Sequence, residues 1–182
     1  MSGYAAGRHH REAGGGSNYL CLPEDPRWKG YLNNTQASAG WLYGVTYHTN
    51  HGTNSNHEVL LSGINHGGSQ AFHGKPTPCA VCYVPHRSAH LMIPVSDMCP
   101  DDWTLEYDGY LMADHSFPIP TGVHTDARYS TNYICVDGAP EVAVGPTDQF
   151  EAIVLFVKVR CGTLPCSTYP DGRELVCVVC TK

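Results

Sequence analysis

The chain has 182 residues, enough to bury roughly 70% of its unfolded surface and so to build a real hydrophobic core. It is mildly acidic, with 11 basic against 17 acidic residues and no Lys/Arg cluster, which argues against nucleic acid as a partner because phosphate affinity rests on grouped cations. No apolar run approaches the ~18 residues a membrane-crossing helix requires, so no membrane span is expected.

Nineteen glycines and thirteen prolines among short β-prone runs point to a mostly β fold with many turns. Residues 1–17 hold no apolar segment, so they do not read as a signal peptide. Gly14-Gly15-Gly16 is a flexible approach to Asn18-Tyr19-Leu20-Cys21-Leu22, and Pro23-Glu24-Asp25-Pro26 then forces an extended turn. Asn33-Asn34-Thr35 carries the acceptor pattern for an N-linked glycan, meaningful if the chain is exported. Trp41 to Tyr47 alternates as a strand does. Residues 48–78 form a long polar loop with His48, His51, His57, His66 and His73, and a short strand is expected at Val59-Leu60-Leu61.

Cys79-Ala80-Val81-Cys82 reads as a buried strand, since its neighbours are apolar. Further strands are expected at His90–Pro94, Thr104–Tyr107 and Gly109–Met112. The last two follow the turn opened by Cys99-Pro100-Asp101-Asp102-Trp103. A second polar loop spans 114–131, and 146–152 is the one candidate for a short helical turn. The most continuous apolar strand, Ile153 to Val159, is expected to pair with Leu175–Val179 after a turn at Cys161–Cys166.

Nine cysteines in a chain of this size are typical of a secreted, cross-linked protein. Zinc is the rival explanation, because two Cys-x-x-Cys pairs can supply a tetrahedral sulfur site. Zinc knuckles usually surround their cysteines with Gly and Lys, whereas these are flanked by Val, Ala and Leu, and Cys99, Cys135, Cys161 and Cys166 would be left over. Disulfides are therefore expected, with no metal and no cofactor, and the loop histidines are taken as solvated.

An enzyme needs a constellation, and none is found. There is no Gly-x-Ser-x-Gly, no His-Glu-x-x-His and no phosphate-binding glycine loop, and Asp101-Asp102 sits in a turn that favours Asp for its own hydrogen bonding. A secreted carbohydrate-binding protein stays open, with Trp28, Tyr31 and Trp41 as sugar platforms, although aromatic residues at strand positions are more often core.

The closing phrase Cys177-Val178-Val179-Cys180 repeats Cys79–Cys82. Asn18–Leu22 returns as Asn132-Tyr133-Ile134-Cys135-Val136, Asp25-Pro26 as Ala139-Pro140, Gly3-Tyr4 as Gly109-Tyr110, and Trp41–Tyr47 answers Ile153–Val159. Matched phrases in one order imply an internal duplication. The expectation is one compact unit over 1–182, made of pseudo-repeats at about 1–85 and 86–182, the first incomplete at its N-terminus.

The phrases Asn18–Pro26, Pro78–Cys82, Cys99–Met112 and Glu174–Cys180 together closely resemble one domain, the C-terminal non-collagenous domain of short-chain, spongin-like invertebrate collagens. Through Cys-Pro-x-x-Trp…Gly-Tyr and Cys-Ala-Val-Cys, that domain is in turn similar to the duplicated C-terminal domain of type IV collagen. No Gly-X-Y tract is present, so only the globular part of such a protein is represented.

The resemblance implies an extracellular, non-enzymatic module for matrix assembly. Its partners would be copies of itself, as a trimer or larger, and other matrix proteins, with glycans as a further class. It also implies the bridges Cys21–Cys79, Cys99–Cys180, Cys135–Cys177 and Cys161–Cys166. Cys82 is then left as a free thiol, its partner expected in a Cys-Pro phrase just before Met1 of a longer protein. Ala80 and Val81 suggest a core strand, so Cys82 is expected to be buried.

Overall fold

A computed structural model describes residues 1–12, 14–29, 39–49, 61, 72–114, 130–147 and 151–182. Among these there is no helix, and nine strands run β1 Ser2–Gly7, β2 Leu20–Pro23, β3 Tyr43–Tyr47, β4 Pro78–Ala80, β5 His90–Pro94, β6 Thr104–Ala113, β7 Ile134–Asp137, β8 Ala152–Phe156 and β9 Val176–Thr181. They join in the order β2-β1-β3-β8-β6-β9-β5, with β4 beside β1 and β7 beside β6. With four disulfides this is a compact, disulfide-rich β domain.

The strands fall into two corners with one register. In the first, Gly3 faces Pro23 across β1–β2 and Cys79 across β1–β4. In the second, Gly109 faces Asp137 across β6–β7 and Cys177 across β6–β9. Ala6 opposite Gly44 has its counterpart in Met112 opposite Phe156. The irregular links agree as well. Ala5 N donates to Thr77 O as Leu111 N does to Leu175 O, and Gly74 N donates to Tyr47 O as Gly172 N does to Val159 O.

Both glycines of that last pair adopt positive φ, 70° and 80°, a conformation a side chain would strain. Gly3 and Gly109 are required for a different reason. A Cβ on either would stand 1.7 or 1.8 Å from the carbonyl oxygen of Leu22 or Val136, inside the atom itself.

The corners meet at β3 and β8, which run parallel with Val45 opposite Ala152 and Tyr47 opposite Val154. All five residues of β8 are buried, the continuous apolar pattern of a strand covered on both faces. Val45 and Tyr47 of β3, Met112 of β6 and Val154 and Phe156 of β8 form the core together with Phe72.

Several expectations are corrected. Ala152 opens β8 instead of closing a helical turn, while 148–150 lie outside the described residues. The alternating strand begins at Tyr43, leaving Trp41 and Leu42 exposed before it. Strand β9 pairs with β5 and β6, and it is the residues leading into it, 172–175, that bond to 157–159. The ends of the polar loop are not surface. Leu61 and Phe72 are buried because their apolar side chains complete the core beside β3, and Thr49 is buried as well. The proposed strand at 59–61 otherwise lies outside the described residues.

Candidate functional site: the cysteine frame and the open β4 edge

Cysteines sit where strands face each other. Ala5 lies opposite Cys21 on β2 and Gly3 opposite Cys79 on β4, so two strands flanking β1 are tied across it, and the structure joins Cys21 to Cys79. Across β6, Leu111 faces Cys135 and Gly109 faces Cys177, and those two cysteines are joined.

Cys99 is joined to Cys180, tying the turn before β6 to the end of β9. Cys161–Cys166 closes a short loop. Every bridge stays inside its own corner. The cysteines of the two Cys-x-x-Cys phrases therefore do not converge on one ion: Cys79, Cys177 and Cys180 have three different partners.

Cys82 is the exception, and it is exposed. The expectation of burial is corrected here. Strand β4 stops at Ala80, Val81 is 53% exposed and Tyr83 is 88% exposed. The matching phrase in the second corner is covered from both sides, because β5 and β6 flank β9 over its whole length. The apolar character of Ala80 and Val81 is the same in kind as that of Val178 and Val179. What differs is the neighbour. Beside β4, β1 reaches only to Met1, whose ammonium donates to Val81 O, and no strand stands where β5 stands beside β9 among the described residues.

Other candidates fall as follows. Trp28 is 80% exposed and Trp41 53% exposed, so neither is core, while Tyr31 lies outside the described residues. Asn33 lies outside them too, as do His51, His57 and His66. His48 and His73 are half-buried and tilted together, ring centroids 5.0 Å apart, instead of standing free in solvent. Asp102 takes positive φ in the turn where Trp103 N bonds Pro100 O, a turn role for the Asp pair. No group of three metal-ligating side chains gathers among the described residues, and no helix among them is long and apolar enough to cross a membrane.

Sequence reading missed the polar contacts that lock the corners together. Tyr19 sends its hydroxyl to Ile153 O at 2.9 Å, beside Thr131 Oγ1, and Tyr47 donates to Glu141 O at 3.1 Å. Burial pushes both phenols up from their ordinary range. Tyr107, bonded to Cys135 O, is raised too, by burial first and by the negative charge of Asp137 second. Arg8 and Asp114 form an ion pair at 2.8 Å with side chains 5% and 4% exposed. Each of the two residues stands five positions past the glycine of a Gly-Tyr phrase, Gly3 or Gly109.

Comparison with models of known protein families and with solved structures finds no match to this chain.

Proposed function

We propose that this chain is a non-catalytic assembly module of the extracellular matrix, built from two duplicated halves in the manner of a collagen C-terminal non-collagenous domain, and that it self-associates. The register shared by the two corners supports the duplication, and the disulfide frame fits an oxidising compartment.

The observation that carries self-association is the way the halves meet. Strands β3 and β8 are equivalent in the repeat, Val45 matching Val157. Yet they lie parallel with Val45 opposite Ala152, five residues before Val157. A contact between equivalent elements that is shifted in this way is not self-complementary. It joins head to tail, and each such contact leaves one unmatched edge on either side to be met by another copy. The edge equivalent to Val45–Tyr47 is Val157–Val159, and its expected neighbour is Gly40–Leu42 of the next copy. Trp41 and Leu42 are exposed in the single chain.

Light scattering at micromolar concentration tests this. The oxidised domain should show a mass above the monomer, and Leu42→Glu, which places a charge on the joining edge, should return it to the monomer. Monomer alone from the unmodified chain would overturn self-assembly. An exported preparation should also carry glycan at Asn33, seen as a mass shift on treatment with an amidase specific for N-linked glycans.

A lectin-like role is the second reading, supported by the exposed Trp28 and Trp41 faces. A glycan array separates the two.

A further inference from the structure

The contacts between the corners bring repeat-equivalent residues face to face. Asn132 Nδ2 donates to Asn18 Oδ1, and Asn132 N to Ser17 O at 3.0 Å. An asparagine meeting an asparagine is indifferent to which half supplies it. Arg8 and Asp114 are not indifferent. They occupy equivalent positions, the first residue after β1 and the first after β6, and they carry opposite charge. Arg8 Nη1 reaches Asp114 Oδ2 at 2.8 Å, while Nη2 donates to Glu12 O at 2.8 Å, which fixes the guanidinium plane. Asp114 N in turn donates to Thr131 Oγ1, which stands beside the Tyr19 hydroxyl.

We infer that the Arg8–Asp114 pair is a recognition key that lets a first half dock only on a second half. Consider the same contact between two first halves. Arg8 would meet Arg8, with both charges buried and unpaired. Two second halves would set Asp114 against Asp114. Leaving a buried charge without its partner is strongly unfavourable, and a mismatched pair is rejected more sharply than a matched pair is stabilised. The Asn18–Asn132 contact does not discriminate in this way, since Asn meets Asn. Burial gives the key its strength, because a surface pair would be screened and nearly neutral. A duplicated protein in which equivalent positions of the two halves meet across the seam gains specificity from such a device. Without it, first halves of neighbouring copies could occupy each other's sites during folding. No disulfide crosses from one corner to the other, so the docking is held by non-covalent contacts and by the connection through 83–89 alone. The inference rests on the equivalence of the two halves, not on self-assembly of the finished domain.

The test uses the full chain in three forms, Arg8→Asp, Asp114→Arg and both together. Each single variant should lower the melting midpoint by roughly 10 °C, as expected for a broken buried pair in a domain of this size. The double variant should recover most of that loss. The discriminating step is co-expression of the two single variants under different tags. The Arg8→Asp chain offers Asp at both positions and the Asp114→Arg chain offers Arg at both, so each supplies what the other lacks. Complexes containing one of each should outnumber same-variant complexes at least tenfold, by native mass spectrometry. If the single variants are insoluble alone, solubility should appear on co-expression. A merely stabilising ion pair would give the midpoint losses with mixed and same-variant complexes in statistical proportion, and that result would overturn the key. So would a double variant that fails to recover. A wild-type domain that is monomeric in light scattering would remove the self-assembly proposal and leave this test unaffected.

Discussion

Cys79–Cys82 and Cys177–Cys180 are nearly the same tetrapeptide, yet one lies on an open edge and the other in the middle of the sheet. Cys177, Val178 and Cys180 are fully buried between β5 and β6, while Val81 and Cys82 face solvent. Local sequence sets the extended conformation and the register against the Gly-Tyr strand, which the two corners share. Burial is set by whether a further strand lies alongside. The same side chains are core in one half and edge in the other because burial belongs to the neighbourhood of a strand and not to its composition.

The difference is sharpest at the bridges. Removing Cys135–Cys177 by double substitution to Ala should cost about 4 kcal/mol through the unfolded chain, plus a cavity term because Cys177 is fully buried. Removing Cys21–Cys79 should cost about 4 kcal/mol from the chain term with little cavity cost, as Cys79 is only half-buried. Denaturant midpoints of the two variants should therefore differ, the second-corner variant being the weaker. Equal losses would mean that the corners are equally packed.

Two substitutions should hurt both corners alike. Gly3→Ala and Gly109→Ala each drive a Cβ into a carbonyl oxygen on the neighbouring strand. Each should destabilise by about 3 kcal/mol, the upper range for forced overpacking. If only one does, the shared register does not reflect shared packing.

Next comes a pair that should separate. Val178→Ala removes two methyl groups from a fully buried site and should cost about 2 kcal/mol, whereas Val81→Ala on the open edge should stay within about 0.5 kcal/mol. Thermal or denaturant unfolding of both variants measures it. A large loss at Val81 would show that something covers that edge in solution.

The smallest effect lies in three buried phenols. Tyr19, Tyr47 and Tyr107 hold their protons more tightly in the folded chain than the ordinary phenol value of 10.0. Their neutral forms are native, so this contribution is fully present below about pH 10, where the unfolded chain begins to release protons, and is lost as pH rises from there through the raised folded-state values. Ultraviolet titration of tyrosinate should show a late group of phenols that ionise only as the fold opens. Ionisation of all tyrosines together near pH 10 would place these three in solvent.

Much of the strand order was legible because repeated phrases carried it. The Gly-Tyr, Asn-Tyr and closing cysteine phrases fall on β1/β6, β2/β7 and β4/β9 at the offsets read from sequence. The four bridges in the structure join the pairs that the type IV resemblance implied. What could not be read was exposure. Cys82 looked like a core residue because its apolar neighbours are those of Cys180, and no local pattern records that a flanking strand stands on one side only. Trp28 and Trp41 are exposed for the same reason, being large aromatics in places the sheet does not cover. The Arg8–Asp114 pair was hidden by a separation of 106 residues, which charge patterning along the chain does not reveal.

Each corner is closed by its own disulfides, and one thiol is left on the open edge. Mass spectrometry of the unreduced, alkylated protein tests it most directly. The expected peptides link Cys21 to Cys79, Cys99 to Cys180, Cys135 to Cys177 and Cys161 to Cys166, with Cys82 either alkylated or joined to Cys82 of a second chain. A peptide linking Cys82 to Cys21 or to Cys99 would contradict it, because either bridge breaks the register that makes the two corners one design.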